Sequence, residues 1–191
     1  MAQILPLLDV VLVHYPVVNR HGDIIGSAVT NLDLHDIARA GKTYGVHTYW
    51  VVTPFQEQRE LVEEIVQHWT KGYGATANPD RRSALELIAA AGDLDEVIAK
   101  ATAKFGVRPT VVATCAHEQK NTIDFATVRN GLREGKPYLL VFGTAWGLAP
   151  GVMTSADAVL PPLLGRCEFN HLSVRSAASI ILDRLLHPEE D

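Results

Sequence analysis

An α/β fold, a mostly parallel sheet with helices on both faces, is what this sequence predicts, on three observations. Short β-branched runs that are apolar on both faces recur along the chain: VVLV within residues 9–14, TVVAT at 110–114 and YLLVF at 138–142. Such runs suit strands covered on both sides rather than the in–out alternation of a half-solvated sheet. Amphipathic helical segments alternate with them, as parallel neighbours require a crossover. The 191-residue chain is 47% hydrophobic and 20% charged, enough to build one core within a single domain, 1–191, without disulfide or metal staples.

Residues 9–14 read as the first strand, and 15–30, with Pro16, Gly22 and Gly26, as a loop or loose hairpin. Residues 31–44 place Leu34, Ile37, Ala38 and Gly41 on one helical face, with Asn31 or Asp33 as N-cap and Gly45 as the stop. A second strand covers 46–53 and ends at Pro54; an amphipathic helix with Leu61, Ile65, Val66 and Trp69 covers 56–70. The stretch KGYGATANPDRRS, 71–83, reads as an irregular loop. Residues 85–90 are ambiguous between helix and strand and are read as a strand, because Ala91-Gly92 breaks the run. Asp93-x-x-Glu96 then opens a helix to about residue 105 as a capping box. Strands at 110–114 and 138–142 flank a helix at 121–133, a short strand covers 158–160, and a long helix, 171–186, closes the chain.

Ligands of parallel sheets bind outside the carboxyl ends of the strands. That directs attention to CAHEQ after Thr114, GTAWGL after Phe142 and PPLLGRCEFNHLS after Leu160. Gly143 and Gly147, with the small residues Thr144 and Ala145 after the first, let backbone lie close to a flat ligand, although an ordinary tight turn reads the same way. The proline-stiffened loop enters the last helix through Asn170 and Ser173, both good capping residues.

Other chemistries lack their motifs. There is no G-x-G-x-x-G after the first strand, no P-loop, no H-E-x-x-H and no G-x-S-x-G, which argues against a small-molecule enzyme with a nucleotide ligand. The eight histidines have no metal-ligand spacing, so no metal is expected. No apolar run approaches the ~18 residues of a membrane span, and the N-terminal stretch, interrupted by Asp9 and His14, lacks the basic start of a leader. Two cysteines without a C-x-x-C pair fit a reducing, cytoplasmic setting. The net charge of −5 weighs against a nucleic-acid partner, but the charge is uneven. Glu57, Glu60, Glu63 and Glu64 share one helix and 189–191 form an acidic tail, whereas Lys71, Arg81 and Arg82 flank the Gly-rich loop and suit RNA binding, a solvated surface being the alternative.

Three segments, in order, resemble the SPOUT (α/β-knot) RNA methyltransferases. In the ribose-methylating branch the last motif runs Ile-Pro-Met-x-Gly-x-x-x-Ser-Leu-Asn-Val-Ser-Val-Ala-Ala. Here Pro162-Leu163-x-Gly165 takes the Pro-Met-x-Gly places, and His171-Leu172-Ser173-Val174 the Asn-Val-Ser-Val places. Val141-Phe142-Gly143 and Gly147-Leu148 match the preceding motif, and Asn31, Arg39 and Gly45-Val46 the N-terminal one. The chain is also similar to a bacterial family of RNA methyltransferases sometimes fused to tRNA guanine-N1 methyltransferase. Three departures stand out: His171 in place of Asn, Trp146 in place of a small or acidic residue, and an Asn31-to-Arg39 spacing two residues longer than the motif's.

The resemblance implies a C-terminal trefoil knot that binds S-adenosylmethionine (SAM). Carried over residue by residue, the cofactor site comprises Thr114, Cys115, Ala116, Phe142, Gly143, Thr144, Gly147, Leu160, Pro161, Leu163, Asn170, His171, Leu172 and Ser173. Arg39 and Asn31 fall at the catalytic places, Arg39 binding a phosphate or incipient alkoxide; a helix-face Arg paired with Asp36 is the plainer reading. Cys115 reads as a packed strand-end thiol rather than a nucleophile, and Asn19, Arg20 and His21 as a possible acceptor side. The resemblance further implies an RNA substrate, tRNA or rRNA, and a homodimer through the small-residue face of the last helix. The alternative is a catalytically silent SPOUT module that binds SAM or RNA or dimerises.

Overall fold

The protein is described by a computed structural model over residues 5–167 and 169–188, so the acidic tail at 189–191 lies outside the described residues. The strands are β1 (Leu8–Val13), β2 (Val17–Val18), β3 (Ile24–Ile25), β4 (Thr48–Val52), β5 (Ile88–Ala91), β6 (Thr110–Ala113), β7 (Tyr138–Gly143) and β8 (Ala158–Val159). The helices are α1 (Asn31–Thr43), α2 (Gln56–Thr70), α3 (Tyr73–Ala77), α4 (Pro79–Leu85), α5 (Leu94–Phe105), α6 (Phe125–Arg133), α7 (Pro150–Ser155) and α8 (Val174–Leu186).

Six strands form one sheet in the order β5-β4-β1-β7-β6-β8, every ladder parallel, and β2 and β3 form a separate antiparallel hairpin. The apolar runs now have a reason. Leu8, Val10 and Leu12 of β1 enter the core beneath α1, α2, α4, α6 and α8, while Val11 and Val13 enter the core beneath α5 and α7. A strand buried on both faces has no position left for a polar residue without a partner.

The expected elements recur with shifted ends, and the shifts have local causes. Helix α1 is capped by Thr30, whose side chain accepts from the Asp33 amide, rather than by Asn31 or Asp33. Gly45 does stop it, at φ +76°. The stretch 71–83 is not irregular: α3 and α4 occupy it, with Asn78 capping α4 and Pro79 at its first position. Because α4 takes Leu85, β5 begins at Ile88. Helix α6 starts after Asp124 rather than at Asn121, since Thr122 instead bridges to Val159 beside the sheet. Helix α7, opened by Pro150, was not expected. Asp93 caps α5 as expected, but Glu96 reaches back to the Gly92 amide.

The sheet order positions the site. Parallel strands put the loops after β1, β6, β7 and β8 on one edge. Strand β8 lies at the far side of the sheet, yet α8 packs on α1 and α6. Residues 160–173 therefore cross that edge.

Candidate cofactor and acceptor site

Three loops lie at this edge; the first is tied to β7 and to the third, and the middle one to β2. After β6, Thr114 donates both its amide (2.9 Å) and its hydroxyl (3.1 Å) to the Val141 carbonyl of β7. The Cys115 sulfur accepts from the His117 amide and Gln119 Nε2, both at 3.4 Å, as a packed thiol that shapes its own turn. Asn170 Nδ2, from the loop after β8, donates to the Ala116 carbonyl at 2.9 Å. Asn170 thus closes the first loop on the third, and Ser173 alone caps α8.

The middle loop is the tightest. Gly143 leaves the strand where a Cβ would lie 2.6 Å from the Leu148 amide nitrogen, so no side chain fits. Ala145 has φ +52°, unusual for a residue with a Cβ, and Gly147 has φ +118°. The β2 strand holds this turn: the Trp146 amide donates to the Val18 carbonyl and the Val18 amide to the Gly147 carbonyl, both at 3.0 Å. The Trp146 side chain is 64% exposed.

Behind the loop lies a polar chain that the sequence did not reveal. His14, directly after β1, is fully buried, its Nδ1 is 3.0 Å from Ser27 Oγ, and Ser27 Oγ is 2.5 Å from Thr144 Oγ1. Thr144 Oγ1 in turn donates to the Val13 carbonyl at 3.1 Å. Each group is satisfied when Nδ1–H donates to Ser27, Ser27 to Thr144 and Thr144 to Val13. That tautomer leaves Nε2 as a bare acceptor, buried and without a partner among the described residues. Burial holds the His14 pKa below its ordinary value, against the pull of Asp33 and its hydrogen bonds, so the ring resists protonation. A His at the carboxyl end of a buried strand was the available signal.

The residues implied for the cofactor divide by exposure. The side chains of Phe142 and Leu160 are each 1% exposed and belong to the core, which leaves their backbone groups for a ligand. Thr114, Cys115, Pro161 and Leu163 are half-buried, and His171, Leu172 and Ser173 exposed.

Arg39 and Asn31 do not adjoin one another. Both are exposed on α1, but eight helical steps separate them by about 12 Å along the axis. Asp36 is not Arg39's partner. It pairs with Arg175 Nε of α8 (3.3 Å), whose Nη1 binds the buried Asp33 (3.0 Å). Tyr44 Oη donates to Asp183 at 2.8 Å further along, so α8 is clamped to α1 at both ends. A groove of about 710 Å3 runs between the two helices and brings Arg39 together with Ser173 and Ser176. Elsewhere, Arg82 is engaged by Glu86 (3.0 Å), Arg81 lies over Trp69 and Lys71 follows α2 exposed. Asn19 accepts from the His21 and Asp23 amides and serves to form the β2–β3 turn.

This fold is shared with solved methyltransferase structures. The SpoU methyltransferase AviRb of Streptomyces viridochromogenes, solved in complex with AdoMet, superposes with a TM-score of 0.58 at 18% identity, over 96% of this chain and 58% of that one. The chain belongs to the SAM-dependent RNA methyltransferase family, whose model matches residues 7–187. It is 47% identical over 175 residues to a tRNA (guanine-N(1)-)-methyltransferase of Oleidesulfovibrio alaskensis, covering 92% of this chain. It is also 39% identical over 177 residues to a protein of Aquifex aeolicus, covering 92% of this chain and 86% of that one. The chain spans 41% of the length of the Oleidesulfovibrio relative.

Proposed function

We propose that this chain transfers a methyl group from SAM to an RNA, with tRNA the favoured substrate class. The observation that carries the reading is the family match over 7–187, joined to three loops at the ligand edge of the sheet, the first and third pinned together. The donor set fits the cofactor. Half-buried Cys115, Pro161 and Leu163 offer apolar contact to a purine, while the glycine-bearing middle loop offers backbone groups at close range. None of the residues implied for the cofactor is a Lys or Arg, which suits a ligand with a positive sulfonium. The tRNA assignment rests on the 47% relative.

When bound, SAM supplies an electrophilic methyl group, so the protein's task is to hold the acceptor in line with it. The His14–Ser27–Thr144 chain holds the middle loop in its strained turn, and Asn170 holds the third loop against the first. Arg39 reaches the α1–α8 groove near Ser173 and there binds a phosphate or stabilises an incipient anion. In this reading one SPOUT domain spans 1–191, residues 160–173 pass through the loop between β6 and β7 as a trefoil knot, and the protein acts in the cytoplasm. Two copies pair through α8, where Ser176, Ala177 and Ser179 permit close helix approach, and each completes the other's site.

Calorimetry with SAM and transfer of labelled methyl to unfractionated tRNA and rRNA test the proposal. Cofactor binding and label in tRNA are expected; no heat at millimolar SAM overturns the reading. Arg39→Ala is expected to lower turnover at least 100-fold with SAM affinity kept. Sedimentation of the intact protein checks the dimer.

A further inference from the structure

Among the described residues, four cationic side chains on the helices are neutralised by acids. Glu86 pairs with Arg82, Glu96 with Lys100, Asp9 with Lys104, and Asp33 and Asp36 with Arg175. Three cations that form no ion pair with a described residue converge instead on one groove between α1 and α4, of about 370 Å3: Arg39, Lys42 and Arg81. Asn78 and Ser83 add polar groups to its walls, and Asp80 is its one carboxylate.

Arg39 and Lys42 are three residues apart and so share a helix face. Arg81 reaches the groove from the opposite wall. Its guanidinium is held without an acid, 4.6 Å from the centroid of the Trp69 ring. The edge of His35 packs on the same ring, 5.4 Å between centroids. Burial first, and then the charges of Arg81 and Arg39, lower the His35 pKa against the opposing pull of Asp36, so the ring resists taking up a proton. Three unpaired cations against one carboxylate, on a chain of net charge −5, make a local field that an extended polyanion would relieve. A guanidinium fork and a lysine point charge match successive phosphates of a nucleic-acid backbone.

The groove also has a direction. It shares Arg39 and Thr43 with the α1–α8 groove that begins at Ser173, so the two are continuous along α1. We propose that the α1–α4 groove seats the phosphodiester backbone of the substrate RNA, gripped by Lys42 and Arg81, with Arg39 at its junction with the methyl-transfer site. The proposal rests on the RNA methyltransferase reading and adds the path by which the RNA leaves the reaction centre. It also revises the cationic set expected for RNA: Arg81 belongs to the seat, while Arg82 is spent on Glu86 and Lys71 is not among the groove's lining residues.

Filter binding of unfractionated bacterial tRNA, and separately rRNA, across a KCl series tests this with the intact protein. Each phosphate contact contributes about 0.7–0.9 to the slope of log affinity against log salt. The Lys42→Gln/Arg81→Gln variant is expected to flatten that slope by about 1.4–1.8 and to weaken binding about 10–100-fold at low salt. SAM affinity should be unchanged. Lys42→Gln alone, at an exposed position, should produce about half of that flattening, and Arg81→Lys in place of Arg81→Gln in the double variant should restore part of the slope, which a purely structural Arg81 would not do. An unchanged slope in the double variant overturns the seat and leaves the methyltransferase reading standing. Failure of the wild-type protein to bind either RNA overturns both.

Discussion

The two ends of β1 each bury a polar side chain completely, Asp9 at the amino edge of the sheet and His14 at the carboxyl edge, and they are treated differently. Asp9 is saturated: Trp50 Nε1 donates at 2.8 Å, and Lys104 Nζ lies 2.5–2.6 Å from its two oxygens while also donating to Thr48 at 2.8 Å. His14 has one nitrogen engaged and the other bare. The Asp9 cluster is closed on itself. At the carboxyl edge a buried ring nitrogen without a partner among the described residues sits behind the turn at Ala145, whose positive φ costs energy of the kind found at functional sites.

The largest expected effect breaks the closed end. Lys104→Met strands the Asp9 carboxylate, and because the lysine is partly exposed the loss should be about 3 kcal/mol, at the low end for a broken buried pair, read as a shift in urea midpoint. Replacing Asp9 by Leu in the same variant should recover part of it. At the open end, Gly143→Ala forces a methyl group into the Leu148 amide and should cost about 2 kcal/mol and more than tenfold in SAM affinity by calorimetry. A normal SAM affinity would mean that the middle loop does not touch the cofactor. Ser27→Ala leaves His14 and Thr144 without their shared partner and should cost about 1 kcal/mol, with SAM affinity falling alongside.

The smallest effect is one of pH. The folded-state pKa of His14 lies below the ordinary 6.5, so near and below that pH the unfolded chain binds a proton that the folded chain resists. Stability is therefore full above pH 6.5 and falls as the pH is lowered toward the folded-state value. His35, lowered chiefly by burial, adds a slope of the same sign. His14→Gln should flatten the decline in urea midpoint between pH 7.5 and 5.5 without abolishing it; an unchanged slope would show that His14 protonates freely.

The middle of the fold was more legible than its margins. Long periodic segments such as α2 were placed to the residue, because fifteen positions of one period outvote any local accident. The two short helices at 71–85 were missed although Asn78-Pro79 is a cap followed by a first-turn proline. Gly72 and Gly74 read as loop residues, whereas a Cβ at either would strike residues of α2, His68 and Trp69. Those glycines serve packing, which no local pattern reports.

The sequence by itself determined the fold class, the alternation of strands and helices, and the family, because each depends on local period or on motifs contiguous in the chain. Only the tertiary structure decided which charges were already spent. Asp36 went to Arg175 and Arg82 to Glu86, while Arg39 and Arg81, 42 positions apart, came to share one groove with Lys42. It likewise joined His14 and Ser27 to Thr144 across 117 residues of chain. Partnership between side chains is a matter of distance in space, and distance is set by the packing of the whole chain.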